Sequence, residues 1–147
     1  MEIKKILWPT DFSDNSNSVL WYVQALSKKF DAEIYLLYVA EDLAGKGKWY
    51  GELTPEHAKK LHEWEIPLAE KKMDEVCEKD LAGCPLFHKK VEVGEPASKI
   101  LEVADKEGID LIIMATHGRG GRFQIGSVTE KVVTNAKIPV WTARPQK

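Results

Sequence analysis

Asp110-Leu111-Ile112-Ile113-Met114-Ala115, running directly into Thr116-His117-Gly118-Arg119-Gly120-Gly121-Arg122-Phe123-Gln124-Ile125-Gly126-Ser127, is the stretch that decides the fold class. A near-continuous apolar run suits a strand covered on both faces, as in a parallel sheet flanked by helices. A glycine-rich loop follows. The next segment opens on Ser127-Val128-Thr129-Glu130, a capping-box pattern for a helix over Ser127 to Asn135. Strand, glycine-rich loop and helix form a unit of parallel α/β architecture.

Outward from this unit lie further β-rich runs: Ile3 to Trp8, stopped at Pro9-Thr10-Asp11, then Glu33 to Ala40, Leu86 to Val93, and Ile138 to Ala143. Helix-period segments fall between them. Ser16 to Phe30 places Val19, Val23, Leu26 and Phe30 on one face, with Ser13, Asp14, Asn15 and Ser16 available as caps. Pro96 to Glu107 starts with a proline suited to a first helical turn and stops at Gly108. The long middle, Glu41 to Asp80, is the least regular part. Thr54-Pro55 begins a charged helix there that Pro67 is expected to kink or break.

Strands alternating with helices imply parallel pairing and right-handed crossovers. The expected fold is therefore α/β, a doubly wound five-stranded parallel sheet in a single domain over residues 1–147. Such a sheet has its crevice outside the C-terminal strand ends, where strand order reverses. Pro9-Thr10-Asp11, after the first strand, and Thr116-His117-Gly118, after the fourth, are the segments expected to meet there.

Hydrophobic residues at 44% and charged residues at 30% match an ordinary globular domain rather than a disordered chain. A net charge of −2 gives no bulk attraction to nucleic acid or anionic membrane. The start, Met1 to Pro9, is not a leader pattern, and no run approaches the roughly 20 apolar residues of a membrane helix. Cys77 and Cys84 fit neither a redox pair nor a metal knuckle, so reduced thiols in a cytoplasmic protein are expected.

The loop after the fourth strand carries the richest chemistry. Its glycines let successive N–H groups turn inward as an anion-binding nest, and the next helix presents free N–H groups around Ser127. Arg119 and Arg122 add charge for phosphate oxygens. A tight surface loop with Ser127 as a plain cap is the alternative. Neither a Walker A closure nor a G-x-G-x-x-G fingerprint is present. His117 is expected to anchor the loop or contact a phosphate rather than act as a general base. His57, His62 and Glu63 form no metal spacing, and Asp11 with Asp14 reads as a helix-start cluster. Most tryptophans are expected in the core or at an interface.

The chain resembles the universal stress protein family. The resemblance runs through KKILWPTDFSDNS, YLLYV, VGEPASKILEVADKEGIDLIIMATHGRGG and GSVTEKVVTNAKIPVWTARP. It implies a Rossmann-like, adenine nucleotide alpha hydrolase-like sheet with strand order 3-2-1-4-5. The family's motif (glycine, two residues, glycine, nine residues, Gly-Ser/Thr) falls on Ala115, Gly118, Gly126 and Ser127. The resemblance also implies that Pro9, Thr10 and Asp11 line an adenosine pocket, that Val39 meets the adenine, and that Gly118, Ser127 and Val128 bind phosphates or ribose. The sequence departs from the motif twice. Ala115 stands for the first glycine, where its methyl group would crowd a ligand, and seven residues, Arg119 to Ile125, replace the nine-residue spacer. Gly120 and Gly121 would have to form a shorter nest.

The implied function is a regulatory module that binds ATP, with Mg or Mn bridging the phosphates and no protein metal ligands, and that works by binding rather than as an enzyme. The alternative is a nucleotide-free structural or interaction dimer of the same fold. In either case a homodimer through the last strand, with Val140, Trp141 and Thr142, is implied, and neither nucleic acid nor membrane is expected as a partner. An enzyme has no support from Pro9-Thr10-Asp11-Phe12-Ser13, which lacks the loop of pyrophosphate-releasing ATP enzymes.

Overall fold

The computed structural model describes residues 2–13, 18–41, 55–79, 86–116 and 126–144. Along the chain come β1 (Lys5–Pro9), α1 (Leu20–Phe30), β2 (Glu33–Glu41), α2 (Pro55–Lys79), β3 (Phe87–Gly94), α3 (Pro96–Lys106), β4 (Leu111–Ala115), α4 (Ser127–Asn135) and β5 (Val140–Ala143). All five strands join one parallel sheet in the order β3-β2-β1-β4-β5. This is the doubly wound, Rossmann-like arrangement expected from the sequence. Strand limits differ by a residue or two: β1 starts at Lys5 rather than Ile3 and reaches Pro9.

The strand pleat divides the core. Ile6, Trp8, Ile34, Leu36, Leu111, Ile113 and Ala115 face α1 and α2, where Val23, Met73 and Cys77 cover them. Leu7, Tyr35, Leu37, Ile112 and Met114 face the other way, under Ala97, Ile100, Val103 and Ala104 of α3 and Val132 of α4. Successive residues of a strand point to opposite faces, so a run buried on both sides must be apolar throughout, and β4 is buried at every position. Fully burying one such side chain contributes about 1.5–3 kcal/mol.

Local chemistry sets the helix ends. Before α3, the Glu95 side chain accepts from the Ser98 N–H at 2.7 Å. After it, Gly108 sits at φ +66. There the Gly108 N–H reaches the Asp105 carbonyl at 3.3 Å and the Ile109 N–H reaches that of Ala104 at 2.9 Å, a Schellman ending. Three expectations are corrected. Helix α1 begins at Leu20 rather than Ser16, with Val19 at the cap position and no side-chain cap; the expected caps Asp14, Asn15 and Ser16 lie outside the described residues. Helix α2 runs through Pro67 without a break, so of the expected kink or break the break does not occur. The ring leaves the Glu63 carbonyl without its donor, but Ala69, Met73 and Cys77 bury the following turns and hold the helix together. In α4 the cap position belongs to Gly126, and Ser127 is already helical, so the capping box does not form.

Strand β5 is an edge, as expected, and starts at Val140 rather than Ile138. Pro139 contributes only its carbonyl, which accepts from the Ile112 N–H at 3.1 Å, and the Ala143 carbonyl accepts from Thr116 at 3.0 Å. Backbone groups alternate sides along a parallel strand, so Trp141 also faces β4 while the N–H and C=O groups of Val140 and Thr142 point to the open side. The Trp141 ring lies 6.2 Å from that of Tyr22 on α1, yet the residue remains 43% exposed. Of the described tryptophans only Trp8 is buried; Trp21 and Trp64 are exposed, and Trp49 lies outside the described residues.

Candidate functional site

Strands β1 and β4 are neighbours, with Leu7 opposite Ile112. From β1 the chain turns to α1 on one face of the sheet, and from β4 to α4 on the other. The two connections diverge and leave a crevice at the C-terminal strand ends. On its β1 side, the Thr10 N–H donates to the Leu37 carbonyl at 2.8 Å. The Thr10 Oγ1 accepts from the Phe12 N–H at 3.0 Å, and the Asp11 Oδ1 accepts from the Ser13 N–H at 2.9 Å. These two side-chain turns shape the loop. Phe12 adopts φ +61, a left-handed conformation that a residue with a Cβ rarely takes.

On the β4 side, the loop ends are joined. The Gly126 N–H donates to the Thr116 carbonyl at 2.8 Å, and the Thr129 hydroxyl donates to the Ala115 carbonyl at 2.9 Å in a buried bond. Thr116 and Gly126, the described residues on either side of 117–125, are therefore neighbours. The intrahelical ladder of α4 opens with the Glu130 N–H on the Gly126 carbonyl at 2.9 Å. The amides of Ser127, Val128 and Thr129 precede it, so they have no acceptor within the helix. Their positive end of the helix lies next to the closed loop base, a place suited to an anion.

Pro9, Thr10, Asp11, Val39, Ala115, Gly126, Ser127 and Val128 thus gather at one end of the sheet. His117, Gly118, Arg119 and Gly121, with Gly120 and Arg122, lie outside the described residues. Ala115 is buried in the core facing α1 and α2, which directs its methyl group into packing. Thr10 is buried, Asp11 and Val39 are half-buried, and Ser127 is exposed. Sequence reasoning passed over Thr129, Phe12 and Tyr38. A hydroxyl residue one turn into a helix that follows a buried strand would have pointed to Thr129. Nothing in the residue types announces the left-handed Phe12.

Among the described residues no group of His, Cys, Asp and Glu could hold a metal ion, and no helix is long and apolar enough to cross a membrane. Cys77 is a free, buried thiol, and loss of solvation pushes its pKa up to about 11, so it stays protonated at neutral pH. Cys84 and the side chain of His57 lie outside the described residues.

The profile of the universal stress protein family matches residues 2–144. Universal stress protein MJ0531 of Methanocaldococcus jannaschii is 35% identical over 98% of this chain and 84% of its own length. The structure of MJ0577, a universal stress protein from the same organism, superposes with a TM-score of 0.86 at 29% identity, over 100% of this chain and 99% of that one. A universal stress protein from Archaeoglobus fulgidus, solved in complex with dAMP, shares the fold at a TM-score of 0.65 and 17% identity, over 95% of this chain and 96% of that one. With its sheet order, its closed loop base and this match over nearly all its length, the chain belongs to the universal stress protein family.

Proposed function

We propose that the protein is a regulatory module that binds an adenine nucleotide, ATP, in the β1/β4 crevice and acts by binding rather than turnover. One observation carries this reading. The 2.8 Å bond from the Gly126 N–H to the Thr116 carbonyl seats the open first turn of α4 at the end of β4, beside β1. Phosphates would lie against the amides of Ser127 and Val128, where the helix dipole favours negative charge. Asp11 would accept from a ribose hydroxyl, and Val39 would offer an apolar wall to the adenine. The same fold takes an adenine nucleotide in the Archaeoglobus fulgidus protein, which supports the ligand class. A divalent cation, Mg or Mn, would bridge the phosphates. Mass spectrometry of small molecules released from the purified protein tests the reading: ATP or ADP at a substantial fraction of the protein supports it.

A nucleotide-free homodimer is the second reading, favoured by the open edge of β5. The outward backbone groups of Val140 and Thr142 would pair antiparallel with those of a second copy across a twofold axis.

A further inference from the structure

The left-handed Phe12 has surroundings that the β1 loop alone does not account for. Its ring stacks on Tyr38 with centroids 5.2 Å apart and planes at 27°. The Lys72 Nζ lies 5.6 Å from the centre of the same ring, and the Tyr38 hydroxyl donates to the Glu65 carboxylate. Glu65 and Lys72 are seven positions apart on α2, so they lie on one side of that helix. Phe12 directly follows Asp11, and Tyr38 directly precedes Val39. Backbone outliers persist only where the surroundings over-determine them, and here an aromatic stack, a cation and two side-chain turns converge on one residue.

We infer that Phe12 and Tyr38 are positioning residues. Their stacked rings hold the β1 loop in the shape that presents Asp11, fix it beside Val39, and tie both to α2 through Glu65 and Lys72. Neither ring needs to touch the ligand. Phe12 and Tyr38 pack toward the core under α1 and α2, whereas Val39 packs toward the opposite one. The stack therefore supports the crevice from behind. It also brings side chains of α2 to both strand ends that would flank an adenosine.

The role of the pair in ligand binding rests on the proposed nucleotide reading, so the test has a limb that needs no nucleotide. Amide exchange at Phe12 and Ser13, whose N–H groups donate within the loop, reads the loop shape in the free protein. Titration with a fluorescent ATP analogue reads the crevice. Phe12→Leu keeps apolar bulk but removes the ring; it is expected to speed exchange at both amides and to weaken the analogue by about fivefold or more. Phe12→Tyr keeps the stack and is expected to restore both. Glu65→Leu, a change on α2, is expected to shift both readouts in the direction of Phe12→Leu. Unchanged exchange in Phe12→Leu overturns the inference, as does a Phe12→Tyr protein that behaves like Phe12→Leu, or altered exchange with unaltered affinity. If the wild-type protein fails to take up the analogue, the nucleotide reading falls, and the exchange limb alone decides whether the rings position the loop.

Discussion

The hydroxyl of Thr129 donates to the carbonyl of Ala115 at 2.9 Å, which ties the last residue of β4 to the first turn of α4. Both ends of the bond are buried, so removing the donor leaves a carbonyl without compensation. Thr129→Val keeps the side-chain shape and is expected to cost about 1–2 kcal/mol in urea unfolding, while Thr129→Ser, which keeps the hydroxyl, should retain most of the stability. Equal stability of Thr129→Val and the wild type would mean that the bond does not anchor the loop base.

Ala115 stands where the family motif has glycine, but its methyl group belongs to the core facing α1 and α2. Ala115→Gly should therefore leave nucleotide affinity within about twofold and lower stability by about 1–2 kcal/mol, from the lost methyl burial and the added chain entropy. Improved affinity in this variant would place the methyl group against the ligand instead.

Glu95 caps α3. Its bonds to Ser98 hold the carboxyl below the usual carboxylate range, with burial opposing and Lys131 adding a favourable charge. A depressed folded-state pKa gives stability that is complete above the unfolded value of about 4.3 and is lost as pH falls through the folded value. Glu95→Ala is expected to cost about 1 kcal/mol at pH 7, and the gap to the wild type should close as the pH drops below about 4. Urea midpoints measured across that window check this. A constant gap would show that the charge on Glu95 does not contribute.

Much of this arrangement was legible in the sequence, for identifiable reasons. The run Leu111 to Ala115 is apolar throughout because both its faces are covered, and that feature alone implied a parallel sheet with helices on each side. Gly108 signalled a helix stop because a left-handed ending favours glycine. Ser127 was misread as a cap because its residue type suits that role, while the position is taken by Gly126, whose N–H is bonded to Thr116. Pro67 allowed a kink or a break, and the break does not occur; local rules see one missing hydrogen bond and not the burial of Ala69, Met73 and Cys77 beyond it. The crevice could be located from the strand ends. The Phe12–Tyr38 stack could not, since it joins residues whose contact depends on the register of β1 against β2.

The open edge of β5 gives a test of assembly. The Val140 N–H faces away from β4, so Val140→Pro should leave the β4 ladder in place and remove a donor needed for pairing with a second copy. Light scattering should show a wild-type dimer and a monomeric, folded variant. A monomeric wild-type protein at tens of micromolar would end the strand-pairing reading.

Equilibrium titration of the wild-type protein and Asp11→Ala with a fluorescent ATP analogue, competed with unlabelled ATP, tests the nucleotide reading most directly. The account predicts saturable, competable binding to the wild-type protein and a loss of about tenfold or more in the variant, equivalent to about 1.4 kcal/mol. No saturable binding up to millimolar ligand, or equal affinity in both proteins, would contradict it.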